Sequence, residues 1–453
     1  MKKIIFTLLI TMMLAIKLQA QQKYEANWTS IDSRPIPQWY TDAKFGIFIH
    51  WGLYSVPAWG PLSSYAEWYW WHLAEKQDKT TAFHNKNYGE NFKYQDFVKD
   101  FKCELFDPAD WAKLFREAGA NYVVLTSKHH EGFTLWHSAH SWNWNAMDVG
   151  PHRDLAGDLS DAVKKQGLHM GFYYSLYEWY NPLFQENLEK YVDNHMIPQM
   201  KDLVIRYEPD IVWPDGEWEH PSEKWKSTEF LAWLYNESSV KSTVVVNDRW
   251  GKETRSKHGG FYTTEYDYAH ADNMKDKKIF HPYEECRGIG SSFGYNRNEN
   301  LSDYSTSEQL VHLLIEKVAM GGNLLLNIGP TADGRIPVIM QQRLMDMGRW
   351  LKINGEAIYE TTLWDVAKQP DINAFFTTKG IDLYVICTKY PAQAITIPNV
   401  GKKPAAVTLL GSNTPVKYSY NGKNVTITPP NISPANNPCE YAWIFKLAGV
   451  IEK

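Results

Sequence analysis

Eight short apolar runs, several of them followed by an amphipathic segment, leave few folds open to this chain. The runs fall at residues 45–50, 122–127, 170–175, 211–215, 243–248, 261–266, 289–294 and 323–328. They favour Val, Ile, Leu and aromatic residues and are bounded by turn-forming ones, as strands are. Between several of them, at 108–118, 155–166, 225–235 and 307–320, apolar residues recur three and four positions apart, the period of a helix with one buried face. Asp107 ahead of Pro108 is a helix start, because the carboxylate can accept from the first free N–H groups and proline tolerates the first helical position. This alternation predicts an α/β fold, a (β/α)8-like parallel barrel. The stretches 251–260 and 269–285 read as loops, so irregularity is expected from the fifth strand to the seventh.

Parallel barrels carry their chemistry at the C-terminal edge of the strands, so the polar residue that closes each run is a candidate. The fourth run ends Trp213-Pro214-Asp215-Gly216. Pro-Asp-Gly cannot continue a strand, which leaves Asp215 projecting at that edge. Trp213 and Trp218 bracket it, and aromatic faces beside a carboxylate suit the apolar face of a sugar ring. His50 closes the first run, His129 and His130 follow the second, Asn247-Asp248-Arg249-Trp250 closes the fifth and Thr263-Thr264-Glu265-Tyr266 the sixth. Glu67 lies in the long first loop. Two carboxylates facing one pocket suggest glycoside hydrolysis, where one attacks or stabilises the anomeric centre and the other protonates the leaving oxygen. Asp215 is the candidate nucleophile, and Glu265, Glu284, Glu285 and Glu67 are all within reach as the acid/base. A metal-dependent hydrolase would draw on His50, His129, His130 and Asp215, but the first strand lacks a His-x-His pair and the sugar reading accounts better for Glu67 and the tryptophans. A non-catalytic sugar-binding protein would keep the pocket and lose an acid.

The chain has 453 residues, more than one ordinary domain. Its 47 Lys and Arg stand against 52 Asp and Glu with no long basic run, so nucleic acid is not an expected partner. Cys103, Cys286, Cys387 and Cys439 show no CxxC spacing, which argues against a zinc site and a dense disulfide framework while leaving room for one bridge. Residues 1–20 read as a secretory signal: Lys2 and Lys3, an apolar stretch over 4–16, and Ala20 at the cleavage point. That stretch is short of the ~20 apolar residues that span a bilayer. The expectation is an exported protein, periplasmic or secreted, with no membrane partner. Residues 21–359 form the expected catalytic barrel. Beyond them, short runs at 383–387, 394–397, 406–410, 425–427 and 442–445 alternate with Pro, Gly, Asn and Lys clusters, predicting a C-terminal β-sandwich over 360–453.

The whole set of strand-end motifs resembles the α-L-fucosidases of glycoside hydrolase family 29. The resembling segments run from Lys44 to Gly52, Ala66 to Tyr69, Lys128 to His130, Val246 to Gly251, Ser292 to Asn296 and Gly321 to Asn327. The resemblance spans the barrel and implies a retaining exo-α-L-fucosidase that acts on fucosylated glycans or oligosaccharides and uses no cofactor. The family's nucleophile falls on Asp215, and its sugar-binding positions on His50, Glu67, His129, His130, Tyr173, Trp213, Arg249 and Phe293. The chain departs from many members in having Trp213-Pro214 before the nucleophile and Tyr283-Glu284-Glu285 where Trp-Glu is frequent. The Thr-Glu-Tyr context makes Glu265 similar to the acid/base of some bacterial members, with Glu284 the alternative.

Overall fold

The computed structural model describes residues 22–266 and 281–452. The signal expected at 1–20 and the part of the expected 269–285 loop that precedes residue 281 lie outside the described residues. Eight strands curl into one sheet: β1 (Phe45–Ile49), β2 (Tyr122–Lys128), β3 (His169–Ser175), β4 (Ile211–Asp215), β5 (Val245–Val246), β6 (Tyr262–Glu265), β7 (Tyr283–Gly288) and β8 (Asn323–Ile328). Their order is β5-β4-β3-β2-β1-β8-β7-β6, every neighbouring pair parallel. No ladder joins β5 to β6. Two backbone hydrogen bonds cross that seam instead, Phe261 N to Val246 O and Gly260 N to Asn247 O, each 3.1 Å. On the other side of β5, beyond its two residues, Asn247 Nδ2 donates to Pro214 O of β4 at 3.0 Å, so a side chain extends the β4–β5 join where that ladder stops. The irregularity therefore falls where loop-like sequence had led one to expect it.

Alternation along the strands sorts the two faces. In β1, Ile47 and Ile49 pack outward under the helices, while Phe48 joins Tyr122, Val124, Tyr173, Ile211 and Trp213 in the barrel interior. Each such side chain, fully buried, contributes roughly 1.5–3 kcal/mol. Gly46 also faces inward, and a Cβ there would lie 2.3 Å from the Tyr122 ring. Glycine at this position is what lets that ring occupy the axis. Around the sheet, the helix Pro108–Glu117 starts as its sequence predicts, Asp107 Oδ1 accepting from Ala109 N at 2.9 Å and Asp110 N at 3.1 Å. The helices Leu155–Lys165, Ser227–Asn236 and Ser307–Ala319 bury one face each.

The seventh strand corrects the sequence reading: expected at 289–294, it runs over Tyr283–Gly288. Its sequence is polar because each of its acids finds hydrogen-bond partners inside the fold. Glu284 points inward and accepts from Tyr122 OH at 2.6 Å, Trp213 Nε1 at 2.8 Å and Tyr40 OH at 2.9 Å. Glu285 takes Thr264 Oγ1 and the Arg287 guanidinium. A buried strand whose acids are individually satisfied leaves no apolar run to detect.

The C-terminal part is antiparallel, with strands β9 (Lys368–Gln369), β10 (Ala374–Lys379), β11 (Asp382–Cys387), β12 (Ile395–Ile397), β13 (Val407–Leu409), β14 (Lys417–Tyr420), β15 (Val425–Thr428) and β16 (Trp443–Leu447). The sheets β13-β16-β11-β10-β9 and β12-β15-β14 share one apolar core, a β-sandwich. It is tied to the barrel helices by Trp350 Nε1 to Ala442 O at 2.9 Å and by His312 Nε2 with Tyr441 O at 2.8 Å. All four cysteines are buried and free, so no bridge forms. Among the described residues no helix is long and apolar enough to cross a membrane.

Candidate active site

A cavity of about 270 Å³ opens at the C-terminal ends of the barrel strands. That volume sits just under the range of roughly 300–1,000 Å³ common for ligand pockets and suits one small ring. Asp215, the last residue of β4, lies at its heart. Gly216 follows at φ +77°, a conformation glycine adopts without strain, and turns the chain away at once. Asp215 Oδ1 accepts from Arg249 Nη1 at 2.7 Å and Oδ2 from Tyr173 OH at 2.9 Å. Arg255 Nη2 stands 3.6 Å from Oδ1, and His130 Nε2 3.9 Å from Oδ2. Burial alone would push this carboxyl up, but the Arg249 and Arg255 guanidiniums outweigh it and hold Asp215 well below the usual carboxylate range. It is an anion needing no base to activate it.

Glu265 closes β6, and the same guanidinium reaches it, Arg249 Nη2 lying 3.2 Å from Oε2 while Tyr65 OH donates to Oε1 at 3.0 Å. Arg249 is itself fixed from behind, its Nε donating to Thr263 Oγ1 at 3.0 Å and its guanidinium lying 4.6 Å over the Trp213 ring. One rigid fork thus sets the relation between two carboxylates. They differ in surroundings, the Glu265 side chain keeping 29% exposure and that of Asp215 10%. Glu217, two residues beyond Asp215, is buried and holds Arg255 through Oε1 to Nε at 2.5 Å.

His50 and His130 are set as acceptors by what lies behind them. Asn327 Nδ2 donates to Phe293 O at 2.7 Å, which turns Oδ1 toward His50 Nδ1, also 2.7 Å away. His50 therefore carries its proton on Nδ1 and offers a bare Nε2. Burial and the neighbouring His129 lower its pKa to about 3, so it stays neutral. Ser175 Oγ uses its proton on Tyr177 O at 2.6 Å and accepts from His130 Nδ1 at 2.6 Å. Burial, with His129 beside it, keeps His130 neutral as well. Glu67 Oε2 accepts from Gly294 N at 2.8 Å and Ser292 Oγ at 3.2 Å, and burial raises its carboxyl above the ordinary value. Phe48, Trp213 and Phe293 supply the apolar wall.

The structure brings His50, Glu67, His129, Tyr173, Trp213, Asp215, Arg249, Glu265 and Phe293 to one cavity, and seats His130 directly behind Asp215. Glu284 is not at the wall; it lies inside the barrel, fully buried beneath Trp213. Glu285 is likewise turned to Thr264 and Arg287. Sequence reasoning missed Arg255 and Cys286, both of which line the cavity. Arg255 lies in a stretch with no periodicity, and Cys286 was hidden with its strand. Among the described residues no group of three or more His, Cys, Asp and Glu side chains is arranged to hold a metal ion.

Comparison with known proteins places the chain in a family. The sequence profile of the α-L-fucosidases matches residues 11–356, and that of the α-L-fucosidase C-terminal domain residues 369–448. The chain belongs to the α-L-fucosidase family. It is 44% identical over 440 residues to tissue α-L-fucosidase of Bos taurus, covering 94% of this chain and 92% of the relative. It is 44% identical over 462 residues to the α-L-fucosidase of Dictyostelium discoideum, covering 97% and 98%. Among solved structures, Thermotoga maritima α-fucosidase in complex with a mechanism-based inhibitor is 37% identical, with a TM-score of 0.80 and coverage of 94% and 99%.

Proposed function

We propose that this chain is a retaining exo-α-L-fucosidase that removes terminal α-L-fucose from glycans or oligosaccharides by double displacement. The observation that carries the reading is the Arg249 fork, which joins a buried, anionic Asp215 to a partly exposed Glu265 at a cavity sized for one ring. The Asp215 carboxylate attacks the anomeric carbon while Glu265 protonates the departing oxygen. Glu265, now deprotonated, takes a proton from water as that water releases the sugar from Asp215 with a second inversion. Retaining enzymes place the two carboxyl groups about 5–5.5 Å apart, and a shared guanidinium is a means of fixing such a spacing. Fucose offers three ring hydroxyls and a methyl group. His50 and His129 with Glu67 meet the hydroxyls, Phe293 and Trp213 enclose the methyl, and His130 stands behind Asp215. The mechanism needs no cofactor. Residues 1–20 are read as an export signal, with 21–359 the catalytic barrel and 360–453 the sandwich. N-terminal sequencing of exported protein should begin at Gln21, and an intact Met1 would contradict this.

The roles are tested together. Asp215→Ala should abolish turnover even on an aryl fucoside with a good leaving group, because the glycosyl-enzyme cannot form. Glu265→Ala should harm poor leaving groups far more than activated ones, and azide should restore rate and give α-fucosyl azide. NMR should detect α-fucose as the first product. Normal activity of Glu265→Ala on natural linkages, or β-fucose as the first product, would refute the scheme.

A further inference from the structure

The cavity sorts its residues by depth. Asp215, His50, Tyr173 and Arg249 are buried, whereas Trp218 is 37% exposed and the side chains of Glu265 and Arg255 keep 29% and 21% exposure. With room for one ring inside, whatever carries the fucose must rest at the mouth, beside the acid that protonates its oxygen. We infer that Trp218 forms the leaving-group subsite, stacking on the apolar face of a neutral hexopyranose to which the fucose is attached. This inference rests on the fucosidase reading and adds to it the residue that selects the carrier sugar.

Trp218 follows the proposed nucleophile by three residues, so the turn that ends β4 delivers both. Its ring is held from behind by other rings: His130 edge-on at 5.0 Å, Trp68 at 5.8 Å and Tyr177 at 6.1 Å between centroids. An aromatic surface fixed in this way, yet open to water, is pre-organised for an apolar partner and does not have to order itself on binding. The surroundings are polar. Tyr177 OH donates to Glu219 Oε1 at 3.3 Å next to the ring, and Arg255 lies on the cavity side. A flat apolar face ringed by donors and acceptors fits a pyranose, whose C–H face is edged with hydroxyls, better than an alkyl chain.

The test compares α-L-fucosyl fluoride, whose leaving group is a single atom, with a fucosyl-galactose disaccharide, using the full chain. Trp218→Ala should lower the ratio of kcat/KM for disaccharide over fluoride by about tenfold, mainly through KM, and Trp218→Phe should keep most of that ratio. An unchanged ratio, or an equal loss on both substrates, would mean that Trp218 only supports the loop and would overturn the inference. An equally large loss on octyl α-L-fucoside would also overturn it, since any apolar carrier would then suffice. Wild-type protein that cleaves neither the disaccharide nor the fluoride would instead defeat the fucosidase reading, so the two failures are distinguishable.

Discussion

Glu284 tests the assignment of the acids most sharply, because its surroundings predict a stability effect and no leaving-group effect. It is fully buried, accepts from two tyrosine hydroxyls and an indole N–H, and burial raises its pKa to about 7 despite those donors. Below about pH 3 the folded and unfolded states both hold the proton. As pH rises the unfolded carboxyl ionises first, near 4.3, while the folded one keeps its proton to about 7. The unfolded state then binds fewer protons, so stability falls as pH rises through that window and levels off above it. At 1.36 kcal/mol per pKa unit the full effect is roughly 4 kcal/mol, about three-quarters of which develops between pH 4.5 and pH 8. Glu284→Gln mimics the protonated acid and cannot titrate. The stability of wild type relative to this variant should therefore fall by roughly 3 kcal/mol between about pH 4.5 and pH 8, read from urea melts followed by tryptophan fluorescence. Glu284→Ala leaves three buried donors without an acceptor, at about 1–3 kcal/mol each before water and relaxation offset part of it. A net loss of about 3–5 kcal/mol is expected, with activity reduced to a similar degree on good and poor leaving groups as Trp213 loses its anchor. Parallel pH–stability curves for wild type and Glu284→Gln would refute the burial argument. Azide rescue of Glu284→Ala would transfer the acid/base role to Glu284.

Two further outcomes follow from the site. Arg249→Lys keeps one charge but cannot bridge Asp215 and Glu265, so kcat/KM should fall by about 100-fold or more, a loss of roughly 2.7 kcal/mol or more in transition-state binding. Because Arg249 holds the Asp215 carboxyl down, the acid limb of the pH–rate profile should move to higher pH, and an unmoved limb would contradict that cause. Asn327→Val removes the acceptor that fixes the His50 tautomer, so KM for a simple fucoside should rise about tenfold with a smaller change in kcat, at a stability cost of about 1–3 kcal/mol; an unchanged KM would show that His50 needs no such anchor.

The local signals were fully written in the sequence. The β8 run at 323–328, the Asp107-Pro108 helix start and the break at Pro214-Asp215-Gly216 each depend on residues adjacent in the chain, so period and turn chemistry were enough to place them. The strand-end rule then gathered His50, Asp215, Arg249 and Glu265 before any contact was known. What tertiary structure alone decided are the long-range pairings. Glu284 and Glu265 look alike as acids in turn-flanked segments, yet one meets Tyr40, Tyr122 and Trp213 inside the barrel and the other meets Tyr65 and Arg249 at its mouth. β7 was misplaced for the same reason, since the acid it turns inward, Glu284, is satisfied by hydrogen-bond donors distant in the chain. The tautomer of His50 depends on Asn327, 277 positions away. Periodicity reports which face of an element is buried; only closure of the barrel decides which donor a buried carboxylate meets, and that donor sets whether the group holds the fold or lines the cavity.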